Sequence, residues 1–198
     1  MTQEQAAAAP AARPAAQNGT RARTRRAILD AAVTTLSTTP TASLGDVAAA
    51  AGVGRTTVHR YFPERADLLK AIGAHVLEQV GEATDRARLD EGPAAAALER
   101  VCQEYFEISR GLTLMFENPQ LVDWEGWEED TAADRALLDL IARGQAEGDL
   151  DPELPPEWVQ QTLWALLYTA WEHVRERGAS KHAALSLCLR TLRKALAA

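Results

Sequence analysis

Apolar residues recur along this chain at three- and four-residue intervals, the spacing of one face of an α-helix, and no stretch sustains the alternation of a strand. Ile28, Leu29, Ala32, Val33 and Leu36 form a single stripe that predicts a helix over 24–37, ended by Thr38-Thr39-Pro40-Thr41. Leu44, Val47, Ala48 and Ala51 predict a second helix, and Val53 and Val58 let a short third one pack back on it. Pro63 opens a fourth, with Leu68, Leu69, Ile72, Val76 and Val80 on one face, running toward Leu89 before Gly92-Pro93 breaks it. Helices are then predicted over 94–112, 130–146, 157–177 and Lys181–Leu196. Asn118-Pro119 and the Pro-rich stretch 148–156 are the connections. The fold class is therefore all-α.

The stretch from Ser43 to Leu69 carries the most information. Ser43 followed three residues later by Asp46 predicts a capped helix start, because a Ser oxygen accepts from the N–H groups that open a helix. Gly52 supplies the left-handed backbone of a tight turn. With Val53 and Val58 facing inward, Arg55, Thr56, His59 and Arg60 point outward. A short helix with a polar, cationic outer face, fixed across another helix by a tight turn, is a helix-turn-helix.

Gly52-Val53, Thr57, Tyr61-Phe62, Arg65 and Leu68-Leu69 stand where the signature of the TetR (tetracycline-repressor) family has them, and residues 24–70 resemble that family. Two positions depart from its pattern: Gly54 replaces the usual capping Ser, and His59 replaces the aromatic two before Tyr61. The resemblance implies a three-helix DNA-binding domain followed by a helical ligand-binding and dimerisation domain, with the fourth helix linking them. It also implies a regulator that acts as a homodimer on a near-palindromic double-stranded operator. Arg55, Thr56 and His59 are then expected on base edges, with Ser43, Thr57, Tyr61, Arg65 and an arm arginine such as Arg25 on phosphates, and Arg60 on either. A repressor released by a ligand is the first reading. An activator of the same family, or a helical ligand- or partner-binding protein without operator binding, is the alternative.

Charge sharpens the division. The net charge is −7. Residues 1–66 hold eight arginines against four acids, or +4, and the remainder holds 13 basic against 24 acidic residues, or −11. A cationic end on an anionic body is the asymmetry expected when one end meets phosphate. Within it, residues 1–19 read as a disordered tail, 20–66 as the DNA-binding domain and 67–198 as the second domain. Thr20 to Arg26 is a basic stretch suited to an arm on the backbone or in the minor groove. No apolar run reaches the length of a membrane span and no secretory signal opens the chain, so a cytoplasmic location is expected.

Catalytic chemistry finds little support. The four histidines fit no metal spacing, no Gly-rich phosphate loop follows a strand, and Cys102 and Cys188 read as separate buried thiols. No metal and no cofactor are expected. The aromatics say more: of eleven, nine lie beyond residue 66. In the helix over 157–177, Trp164, Tyr168 and Trp171 share one face, while Leu163, Leu167, Ala170 and Val174 share the next. With Tyr105, Phe106 and Phe116 these aromatics are expected to line an apolar ligand site, and Trp124 and Trp127 to form a mobile wall. The ligand expected is flat and hydrophobic, and cationic given the −11 charge. The aliphatic face is expected to pair with the same helices of a second chain, making a four-helix dimer interface through the last two helices.

Overall fold

A computed structural model describes residues 13–118 and 131–197; among them there are nine α-helices and no strand. In chain order these are α1 (Arg13–Thr38), α2 (Leu44–Ala50), α3 (Arg55–Tyr61), α4 (Arg65–Ala87), α5 (Ala94–Glu107), α6 (Ser109–Glu117), α7 (Ala132–Glu147), α8 (Pro156–Arg177) and α9 (Lys181–Leu196). One apolar core runs from α1 to α9.

The first helix begins at Arg13, well before residue 24. Its buried stripe starts only at Ile28, so apolar periodicity is blind to the half before it, where alanine and arginine favour helix and Pro14 sits in the first turn that tolerates it. Residues 13–19 of the expected tail are thus helical, and 1–12 lie outside the described residues. The basic stretch 20–26 is also helical, so Arg25 is fixed on α1 rather than carried by an arm.

Ile28, Leu29, Ala32 and Leu36 of α1 pack with Val47, Ala48, Val58, Phe62 and Leu68. The helix-turn-helix is set by local chemistry. Ser43 caps α2: its Oγ accepts from the Asp46 amide at 3.2 Å, while the Asp46 carboxylate accepts from the Ser43 amide at 2.7 Å. Gly52, at φ +65°, turns the chain, and the Val53 amide donates to the Ala48 carbonyl at 3.0 Å.

Helix α4 packs on α1, α5, α6 and α7. Two side-chain pairs join it to α1. Nε2 of His75, a buried residue, lies 2.8 Å from Asp30 Oδ1, and the Arg26 guanidinium meets the Glu82 carboxylate at 3.0 Å. The corner after α4 is fastened from two sides. Arg100 donates to the carbonyls of Ala87, Arg88 and Glu91, and Arg143 to those of Leu89 and Gly92.

The single helix predicted over 94–112 is two helices, broken at Ile108 with φ −95° and ψ 15°. Apolar residues continue through the break at helical intervals, which is why the pattern conceals it. Helix α6 then packs on both α1 and α4. The approach to α4 is close: a Cβ on Gly111 would stand 2.9 Å from Val76 Cγ2.

Helices α8 and α9 form the expected antiparallel pair, but the aliphatic face of α8 is not on the outside. Leu163, Leu167 and Ala170 are buried within the chain, because α8 packs on α5, α6, α7 and α9 together. Only Val174 of that set is part-exposed. What α8 and α9 leave in solvent includes Trp158, 60% exposed, and Leu187, 44% exposed, together with Ala165 and Thr169 of α8. The two cysteines also meet: Cys102 on α5 and Cys188 on α9 are buried neighbours, and the Cys188 sulfur together with burial holds the Cys102 thiol above its usual range.

Candidate nucleic-acid interface and aromatic cluster

Helix α3 buries Val58 and leaves Arg55, Thr56, His59 and Arg60 exposed, with Thr57 half-buried. Gly54 opens the helix without a side-chain cap. The Arg55 side chain lies back across α2, where a Cβ on Gly45 would stand 3.1 Å from its Nε. Hydrogen bonding from Ser43 holds the Asp46 carboxylate below its usual range, and the nearby Arg55 charge adds to the effect. Gly45 is therefore a residue that periodicity overlooks; the available signal was a glycine inside a seven-residue helix, where it costs about 1 kcal/mol against Ala.

The residues expected on phosphates divide. Arg25 is exposed, with its guanidinium 5.7 Å from the Phe62 ring centre. Arg21 and Arg60 flank the Tyr61 ring at 5.8 and 5.7 Å, so three cations gather where α3 ends against α1. The Tyr61 hydroxyl donates to the Arg21 carbonyl at 3.2 Å. The Ser43 hydroxyl donates to Asp46 at 2.8 Å, which commits its proton to the cap. Arg65 is turned inward: its guanidinium donates to the carbonyls of Ala42 and of Pro40, the latter at 2.7 Å, holding the loop that enters α2.

The second cluster lies where α5, α6 and α8 converge. Tyr105 stacks on Trp164 with centroids 4.9 Å apart and planes 13° from parallel. Phe116, half-exposed, faces Trp164 at 6.2 Å, Tyr168 at 5.7 Å and Trp171 at 6.3 Å, and Phe106 faces Trp171 at 6.5 Å. All six expected aromatics among the described residues thus fall in one cluster. Trp124 and Trp127 lie outside the described residues. Tyr105, Phe106 and Trp171 are buried, and the indole N–H of Trp171 meets no acceptor among the described residues. Burial pushes the Tyr105 phenol up to about 12, so it stays a protonated donor; its oxygen lies 2.8 Å from Thr84 Oγ1 on α4. At the rim, Glu117 and Glu172 both pair with Arg175. Asp134 accepts from neutral donors: the Thr131 amide and hydroxyl and the Gln160 amide.

Among the described residues no group of three or more His, Cys, Asp or Glu is arranged to hold a metal ion, and no helix is long and apolar enough to cross a membrane.

A short exposed helix bearing cations, set on a helical body with an aromatic cluster, has counterparts. Residues 28–72 match the family described as bacterial regulatory proteins, tetR family. The HTH-type transcriptional repressor LfrR of Mycolicibacterium smegmatis is 42% identical over 170 residues, covering 85% of this chain and 88% of that protein. The crystal structure of LfrR from Mycobacterium smegmatis in complex with proflavine superposes with a TM-score of 0.72 at 36% identity, over 86% of this chain and 95% of that one. A second LfrR structure gives 0.60 at the same identity, over 84% and 95%. Identity sustained over most of both chains, with the helix-turn-helix at the matched place, shows that the chain belongs to the TetR family and is a helix-turn-helix transcriptional regulator.

Proposed function

We propose that this protein is a homodimeric repressor that leaves a near-palindromic operator when a flat, hydrophobic, cationic aromatic molecule occupies the cluster of Tyr105, Phe106, Phe116, Trp164, Tyr168 and Trp171. The observation that carries the reading is the pairing of an exposed polar, cationic face on α3 with that aromatic cluster, in a chain 42% identical to a repressor. Structural work on that relative supports the ligand class, since proflavine is a planar tricyclic cation. Stacked Trp and Tyr rings suit such a molecule through area and cation–π attraction. Asp134, hydrogen-bonded to neutral groups, leaves negative charge near Tyr105 for a cation, and the Trp171 N–H offers one directional contact.

On DNA, Arg55, Thr56 and His59 read base edges, and Arg55 suits guanine through its bidentate fork. Arg25, Arg60, Thr57 and the Tyr61 end of α3 meet phosphates. Ser43 and Arg65 act one step back, by holding α2 and the loop before it. The dimer pairs the outer faces of α8 and α9 through Trp158 and Leu187, which sets two α3 helices about 34–36 Å apart for successive major grooves.

The test begins with purified protein and genomic fragments at two salt concentrations. Selective retention of a palindromic duplex, followed by its release with proflavine but not with fatty acyl compounds, is the expected result. Uniform weak DNA binding would refute the operator reading. Release by anionic or acyl compounds alone would refute the ligand class. Sedimentation should show a dimer that Leu187→Asp converts to monomer.

A further inference from the structure

The cluster touches α4 through one buried polar contact. Thr84 Oγ1 lies 2.8 Å from the Val80 carbonyl, which takes the only proton the threonine has, so the Tyr105 hydroxyl is the donor to Thr84. Tyr105 therefore has one face on Trp164 and its tip on α4, and both it and Thr84 are buried. Helix α4 in turn is joined to α1 by His75 with Asp30 and by Glu82 with Arg26, and it begins at Arg65, which holds the loop into α2.

Resting on the induction reading above, we propose that the Tyr105–Thr84 hydrogen bond is the contact that transmits occupation of the aromatic cluster to α4. The stack leaves no room for a guest: the ring centres are 4.9 Å apart, whereas a flat molecule between them needs two aromatic contact distances, about 7 Å in all. One ring must move. If Tyr105 moves and α4 does not, a buried hydroxyl and its acceptor are left unpaired. Helix α4 following the hydroxyl avoids that cost. The competing route runs through α6, which carries Phe116 in the cluster and packs on α1 and, at Gly111, tightly on α4.

The two routes separate with isosteric variants. Tyr105→Phe and Thr84→Val each remove the hydrogen bond, and Thr84→Ser keeps it. The affinity of the duplex selected by the wild-type protein is measured with and without saturating proflavine, and proflavine binding is followed by its own fluorescence. The wild type should show a ratio of duplex affinities in the range of about 5- to 150-fold. Thr84→Val should bind proflavine and the free duplex within about threefold of wild type, yet lower that ratio at least fivefold; Tyr105→Phe, compared at its own saturating proflavine, should lower the ratio likewise, while Thr84→Ser preserves it. Thr84→Val, which leaves the ring untouched, carries the test should Tyr105→Phe fail to fold. An unchanged ratio in the variants overturns this contact. Absence of release in the wild type itself overturns the induction reading and this inference with it.

Discussion

The exposed face of α3 and the aromatic cluster of α5, α6 and α8 are built by opposite rules. On α3 the side chains proposed to meet DNA are exposed and support little of the fold; Val58 does the packing. In the cluster the rings proposed to receive a ligand also fill the core, with Tyr105 and Phe106 almost wholly buried. Sequence reading separates function from packing in the first region and cannot in the second. Mutations should separate them in the same way.

The largest effect is expected from Phe106→Ala. Removing a buried ring costs about 3–5 kcal/mol, read by chemical denaturation. A loss below about 1 kcal/mol would mean the cluster is not part of the core, and the contrast would collapse. Next is Arg55→Ala, which should weaken the selected duplex by roughly 1–3 kcal/mol while leaving non-specific binding and the unfolding free energy within about 0.5 kcal/mol. Equal losses on specific and random DNA would take Arg55 off the base edges.

Gly45→Ala sharpens the comparison because it should move stability and function apart. Helix propensity favours Ala by about 1 kcal/mol, yet its Cβ meets Arg55 at 3.1 Å and must push it. A higher melting temperature with weaker duplex binding is the expected pair of results; a gain in both would show that Arg55 gives way freely.

The smallest effect concerns acid. Hydrogen bonds from Ser43 lower the Asp46 pKa in the folded chain. A carboxylate so depressed stabilises the fold above its unfolded pKa, and that contribution fades as pH falls through the folded value. Acid titration of wild type against Asp46→Asn, followed by melting, should therefore show a shallower acid-side decline in the variant. Parallel curves would detach the cap from the acid response.

How much was legible follows the same division. Helix α9 spans Lys181–Leu196 as the pattern predicts, because a single apolar stripe packs on α8 and α5 and Ser180 caps the start. The cap of α2 and the turn at Gly52 were legible for an equally local reason. The break at Ile108 was not, since apolar spacing runs on through it. Nor was the fate of Leu163, Leu167 and Ala170: a helix apolar over a wide arc announces that it will be covered, not whether its own chain or a copy does so. The motif places Arg65 toward DNA, and only tertiary geometry reveals the two carbonyls to which its guanidinium donates. The meeting of Cys102 and Cys188 belongs to the same kind, a contact between helices that no spacing encodes.

That clamp has a mechanical meaning. Because Arg65 is the first residue of α4 and grips the loop into α2, the opening turn of α4 belongs to the reading head. Helix α4 is then a rod driven into that head. From Arg65 to Thr84 it measures about 28 Å at 1.5 Å per residue, so a sideways step of about 1 Å at Thr84 tilts the rod by roughly 2°. On the function proposed above, a small displacement far from the DNA becomes a change of angle at α3, and a palindrome read by two such heads would be sensitive to angle on both sides at once.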